Sequence, residues 1–183
     1  MRISIFNGDP KLEGETRKAI ERFVDGVYDH YEDIKPQDDP ALYVSSLHLS
    51  GMKISHCTRC DLCVGNPGRC VIKDEGQHAI NKITNSEILM FATPIYWGGM
   101  SGLLKNFLDR CYALGDASYA KKRALLLTVG SQEGGSIAHG WIESQIAAFC
   151  RAKGMDLVAS LHLDNIEKDD LDKAYALHEA IHR

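Results

Sequence analysis

Four cysteines, Cys57, Cys60, Cys63 and Cys70, form a Cys-x2-Cys-x2-Cys-x6-Cys run. Three thiols at x2 intervals can converge on one centre, and the turn formers Gly65, Pro67 and Gly68 can bring back a fourth. Thiolates in that arrangement suit a [4Fe–4S] cluster. Zinc is a second reading, although its sites more often use two separated cysteine pairs. Free or reversibly oxidised thiols are a third. Cys111 and Cys150 fall on apolar helix faces and read as small core residues.

A second stretch with chemical content starts at Ile88. Ile88-Leu89-Met90-Phe91-Ala92 is a continuous apolar run, as expected of a strand buried on both faces of a parallel sheet. Pro94, with no N–H for a ladder, is expected to end it. Tyr96, Trp97, Gly98 and Gly99 follow at the strand's carboxyl end, the edge where open α/β sheets take ligands. Large flat side chains beside bare backbone suit a planar ring. Near the N-terminus, Asn7-Gly8-Asp9-Pro10-Lys11 is followed by Gly14 and Thr16. The glycines allow a tight turn, and Thr16 can offer its hydroxyl and first-turn N–H groups to an anion. The plainer alternative is a β–α turn capped by Thr16. His139 reads as a surface or packed histidine. Asp109 and Arg110 are adjacent on a helix and point in different directions, so structural or interface ion pairs are expected of them rather than acid–base chemistry.

These groups need a scaffold, and the apolar pattern supplies one. Strands are expected over residues 3–6, 42–49, 88–92, 124–129 and 157–163. Helices are expected over 16–28, 75–84, 102–114 and 137–153, and a last helix follows Asp164 and Glu167, which have capping-box spacing. Residues 35–40 read as a surface turn, and 56–72 as a cysteine-rich insert. Five strands alternating with five helices predict a parallel sheet covered on both faces. Right-handed crossovers leave the strand order 2-1-3-4-5.

The 183 residues suffice for one α/β domain. The formal charge of −4 and the lack of a long basic run argue against nucleic acid. No apolar run approaches the ~20 residues of a membrane span. The chain enters a strand almost at once, without a signal-peptide core, so the cytoplasm is the expected compartment. Cysteines there are expected as thiols or ligands, not disulfides.

Along nearly its whole length the chain resembles the NAD(P)H-dependent FMN reductase-like flavoproteins, including the iron–sulfur flavoprotein branch. The resemblance is carried by the Asn7–Thr16 loop, by the cysteine run with Val71-Ile72-Lys73-Asp74-Glu75 behind it, and by Pro94-Ile95-Tyr96-Trp97 with Ser101 to Arg110. It implies a flavodoxin-like three-layer sandwich, bound FMN, and dimers or tetramers with the flavin near a subunit interface. Gly8, Asp9, Pro10, Lys11 and Thr16 would hold the FMN phosphate. Pro94, Ile95, Tyr96, Trp97, Gly98 and Gly99 would run along the isoalloxazine. Gly130, Ser131, Gln132, Gly134 and Gly135 would approach its ring and stabilise charge on it.

The family usually carries Ser where Asp9 stands and Asn where Glu15 stands. Two carboxylates repel a phosphate dianion unless they point outward or Lys11 and Arg17 offset them, so weak flavin retention is expected. The implied activity is an FMN-dependent oxidoreductase taking hydride from NADH or NADPH and passing electrons to free flavin, a quinone or another small acceptor. The flavin carries that chemistry, so no catalytic acid or base is assigned. The alternatives are an electron carrier fed by ferredoxin through a [4Fe–4S] cluster, and a non-catalytic member that has lost flavin binding.

Overall fold

Side chains alternate along the central strands and sort the core into two halves. In β1 (Arg2–Asn7), Ile3 and Ile5 face one way and Phe6 the other; in β3 (Ile88–Tyr96), Ile88, Met90 and Ala92 oppose Leu89 and Phe91. In β5 (Arg123–Val129), Leu125, Leu127 and Val129 oppose Ala124 and Leu126. All of these are buried, as the period-2 pleat of a two-sided parallel sheet requires. The computed structural model describes residues 1–34, 41–115, 118–130 and 135–182. The expected turn at 35–40 lies outside them.

The first half-core is closed by α1 (Glu15–Ile34), through Ala19, Ile20, Phe23 and Val27, and by α5 (Lys168–Ala176) with the 3-10 turn Leu177–Ile181. The second is closed by α2 (Gly76–Thr84), α3 (Gly102–Arg110) and α4 (Gly135–Lys153), through Ile80, Ile83, Leu104, Phe107, Ile142 and Ile146. Phe107 stacks on Phe6 with ring centroids 4.4 Å apart. With β2 (Tyr43–His48) and β6 (Asp156–Leu163) at the edges, the parallel order is β2-β1-β3-β5-β6. This is the expected flavodoxin-like 2-1-3-4-5 order, with one addition. A two-residue strand, β4 (Gly99–Met100), folds back antiparallel on β3.

Three local expectations are corrected. Pro94 does not end its strand: β3 runs on to Tyr96. Pairing with β1 stops at Ala92, so the proline meets only β5, at the last register pair Pro94↔Val129, where a missing N–H is tolerated. The helix expected to reach residue 114 leaves α-geometry after Arg110, where Tyr119 Oη donates to the Cys111 carbonyl (2.8 Å). The capping box does not form. Asp164 bonds His162 Nε2 (3.1 Å), and α5 begins after Glu167, whose side chain caps nothing.

Candidate functional site

The loop after β1 sits at the carboxyl end of the sheet. Gly8 N donates to the Ala92 carbonyl (2.8 Å) and lies so close to α3 that a Cβ there would meet Ser101 Oγ at 2.7 Å. Ser101 caps α3 by accepting from Leu104 N (3.2 Å), and its own N–H is held by Thr93 Oγ1 (2.9 Å). Asp9 is turned into the loop and only 4% exposed. Its N–H donates to Asn7 Oδ1 (2.9 Å), and its Oδ1 accepts from Lys11 N (2.9 Å). Its Oδ2 lies 2.1 Å from where a Cβ on Gly14 would stand, so only glycine fits there. Glu15 and the Pro10 and Lys11 side chains are exposed. Arg17 is engaged by Glu13 and Glu21, not by Asp9. Thr16 is not a cap: it lies inside the first turn of α1, and its hydroxyl is buried without a partner.

Those two facts test the loop against a flavin phosphate, and they pull apart. The orphaned Thr16 hydroxyl suits a bound oxygen-bearing group, since a buried polar atom without a partner is costly. The inward Asp9 carboxylate does not suit a dianion.

The second loop is a tight hairpin. Trp97 (φ 50°) and Gly98 (φ 75°) both have positive φ, as a type I′ turn requires. Trp97 is 100% exposed and shields nothing in its own chain. Tyr96 is the aromatic that reaches the first loop: burial, and then the Asp9 charge, push its hydroxyl pKa up. Ile95 points into the core instead of the cleft. Trp141 of α4 lies 3.4 Å from a Cβ position on Gly98 and, with Ile137, is exposed.

Of the third loop, Gly130 and Gly135 are described; Ser131, Gln132 and Gly134 lie outside the described residues. Gly130 N donates to the Leu163 carbonyl (2.9 Å), which sets the loop at the same sheet edge. Beneath it is a polar network that the sequence did not reveal. Thr128 Oγ1 lies 2.8 Å from His139 Nδ1 and 2.9 Å from His162 Nδ1. Ser160 Oγ meets His139 Nε2 at 3.0 Å, and Asp164 meets His162. One neutral arrangement satisfies every member. His139 Nδ1–H donates to Thr128, Thr128 donates to His162 Nδ1, His162 Nε2–H donates to Asp164, and Ser160 donates to His139 Nε2. Burial lowers the His139 pKa; Glu143 opposes that, and His162 adds to it. His139 is thus packed, as expected. The usable signal was β-strand periodicity, which puts Thr128 on one face of β5 and Ser160 with His162 on one face of β6.

The four cysteines line a single cavity of about 20 Å³, together with Arg110. Two residues between them, Arg59 and Asp61, have positive φ (49° and 56°), which for non-glycine residues is strained. Burial raises the Cys63 thiol pKa, and its three neighbours Cys70, Cys60 and Cys57 raise it further. The base of the insert is clasped by one carboxylate. Asp74 accepts from Arg110 Nη1 (2.8 Å), Arg110 Nη2 (3.0 Å), Ser55 N (2.8 Å) and Gly76 N (2.9 Å). Lys53 N adds a bond to Glu75 (2.7 Å). Arg110 is therefore structural, as expected, while its neighbour Asp109 pairs with Lys105 on the surface. The donor set suits a cluster, but the cavity has room for about one water. Among the described residues no three ligand-type side chains are close enough to hold one metal ion. The quartet as placed does not fit a cluster or a zinc ion. Cys111 and Cys150 are core thiols, pushed up to about 12 by burial. No helix among the described residues is long and apolar enough to cross a membrane.

Comparison with known proteins identifies the fold and the family. An iron-sulfur flavoprotein of Archaeoglobus fulgidus is 32% identical over 108 residues, 59% of this chain and 52% of its own. A putative NAD(P)H-dependent FMN-containing oxidoreductase of Bacillus subtilis is 32% identical over 110 residues, 60% of this chain and 51% of its own. The chain thus spans about half the length of these curated relatives. An NADH:FMN oxidoreductase structure, in its apo form, has the same fold, with a TM-score of 0.67 at 21% identity, covering 97% of this chain and 86% of its own. Residues 1–155 match the NADPH-dependent FMN reductase family, and the chain belongs to that family.

Proposed function

We propose that the protein is a flavin-dependent oxidoreductase that takes hydride from NADH or NADPH and passes electrons to a flavin, a quinone or another small acceptor. One observation carries this reading. The loop after β1, the Tyr96 hairpin and the Gly130–Gly135 flanks lie at one sheet edge, and the first of them leads into α1, where the buried Thr16 hydroxyl has no partner. A flavin bound there would supply the redox chemistry. The chain's own residues hold and orient. Thr16 would offer a hydrogen bond to the flavin's side chain, Tyr96 would flank the ring, and the bare backbone at Gly98, Gly99 and Gly130 would permit close approach. Nothing else is required of a site that receives donor and acceptor in turn.

The exposed Trp97, Trp141 and Ile137 support a homodimer or homotetramer in which a second copy covers the hairpin. A second reading, an electron carrier fed by ferredoxin, is favoured by the four cysteines on one cavity. It requires the insert to open around a [4Fe–4S] cluster.

The test is an anaerobic absorption spectrum of the flavin-loaded protein before and after NADPH or NADH, with iron and acid-labile sulfide measured on the same sample. Flavin bands bleached by either nucleotide are expected. Bleaching only by reduced ferredoxin or dithionite, with iron and sulfide present, would replace the enzyme by the carrier. Protein that takes up no flavin would end both readings.

A further inference from the structure

We propose that the loop after β1 selects a flavin whose side chain ends in a hydroxyl, as riboflavin does, over one that ends in a phosphate. The inference rests on the flavin reading above and says which flavin the site takes. Its basis is the placement of Asp9. A carboxylate that merely stood near a phosphate loop would swing to solvent when an anion arrived. Here both ends of the residue are tied, the backbone N–H to Asn7 Oδ1 (2.9 Å) and Oδ1 to Lys11 N (2.9 Å). Oδ2 rests against Gly14, where a side chain would collide with it at 2.1 Å. The carboxylate thereby takes Lys11 N–H, one of the donors that an incoming anion would need. Among the described residues no cation pairs with it: Arg17 is held by Glu13 and Glu21, and the Lys11 side chain is exposed.

An ionised carboxylate only accepts hydrogen bonds. Towards a phosphate dianion it presents acceptor against acceptor and like charge against like charge in a buried place. Towards a terminal hydroxyl it is complementary, because that O–H can donate to Asp9; Thr16 Oγ1, buried and unpartnered, is a second polar group at the end of the same loop. Thr16 alone would serve either ligand, so the discrimination lies in Asp9. The other acidic residues of the loop, Glu13 and Glu15, are exposed and take no part. Asp9 acts here as a binding and specificity residue, not a catalytic one.

The experiment is a pair of fluorescence titrations on the full chain freed of flavin, one with riboflavin and one with FMN. Wild type is expected to bind riboflavin at least tenfold more tightly than FMN. Asp9→Asn keeps an acceptor for Lys11 N–H and removes the charge. It is expected to tighten FMN at least tenfold while changing riboflavin less than threefold. Asp9→Ser serves the same purpose if the Asn variant is misfolded by circular dichroism. FMN binding as tight as riboflavin in wild type, or a variant that changes both ligands equally, would overturn the selection while leaving the flavin reading intact. Failure of both flavins to bind any of the proteins would overturn the flavin reading itself, and the selection with it.

Discussion

The Asp74 clasp makes a quantitative statement about the cysteine insert. Burial opposes its ionisation, but hydrogen bonds from Arg110, Ser55 N–H and Gly76 N–H outweigh that and hold the carboxyl at about 2, against an ordinary 3.8. Asp74 is 9% exposed and the Arg110 side chain 0%, so solvent screens the pair little. A depression of that size corresponds to about 2.5 kcal/mol of stability at neutral pH. Because the folded value is the lower one, this contribution is fully present above the unfolded value and disappears as pH falls through the folded value. The linkage relation leaves about half of it at pH 3 and less than about 0.5 kcal/mol at pH 2. Asp74→Asn, which leaves the buried Arg110 without its counter-charge, should therefore lower stability by about 2–4 kcal/mol at pH 7. In urea this appears as a drop in midpoint of about 1 M. The gap between wild type and variant should shrink steadily between pH 5 and pH 3, since a protonated Asp74 resembles the variant's amide. Modification of Cys57, Cys60, Cys63 and Cys70 by a thiol reagent should also quicken at pH 7, because the same carboxylate ties Ser55 to Gly76. An unchanged urea midpoint at pH 7, or a gap that does not vary with pH, would refute this reasoning.

Three further outcomes follow from strained or buried groups. Trp97→Gly relieves a left-handed conformation that costs a non-glycine residue about 1–2 kcal/mol. It should raise the melting temperature by about 2–4 °C and shift the protein towards monomer in size-exclusion chromatography; a lower melting temperature would contradict the strain argument. His139, shifted down first by burial, should titrate below 6.5 in histidine-ring NMR. Its contribution to stability should be present above pH 6.5 and lost on acidification through its folded value. Thr128→Val should remove the tautomer preference of both rings, and preserved ring nitrogen shifts would count against the network.

The layout of the sheet was legible because the evidence for it is local and redundant. The unbroken apolar run Ile88-Leu89-Met90-Phe91-Ala92 announces a strand buried on both faces. The helix faces carrying Phe23 and Phe107 repeat that information. Legibility failed where a residue's conduct depends on what the sheet brings beside it. Pro94 was read as a terminator from its own chemistry, but whether a strand tolerates it depends on whether a neighbour is present to be refused. Asp9 and Glu15 looked like equal obstacles; the loop turns one inward and the other outward. Asp164 had the spacing of a cap and was taken instead by a histidine two residues earlier. Strand periodicity puts Thr128, Ser160 and His162 on defined faces, but their meeting with His139 depends on three elements whose pairing only the folded sheet sets.

Helix α3 begins at the ligand edge and ends at the thiols. Its capping residue Ser101 buttresses Gly8, and its last residue Arg110 lines the cysteine cavity. Nine residues at 1.5 Å each make a rod of about 14 Å. The rod is wedged laterally by Phe107 stacked on Phe6 and anchored at its far end by Asp74. The spacing between the ligand edge and the cysteine insert is therefore a property of one stiff segment, not of loops that drift independently. A thrust on the thiol end would arrive at Gly8 as a displacement along the helix axis.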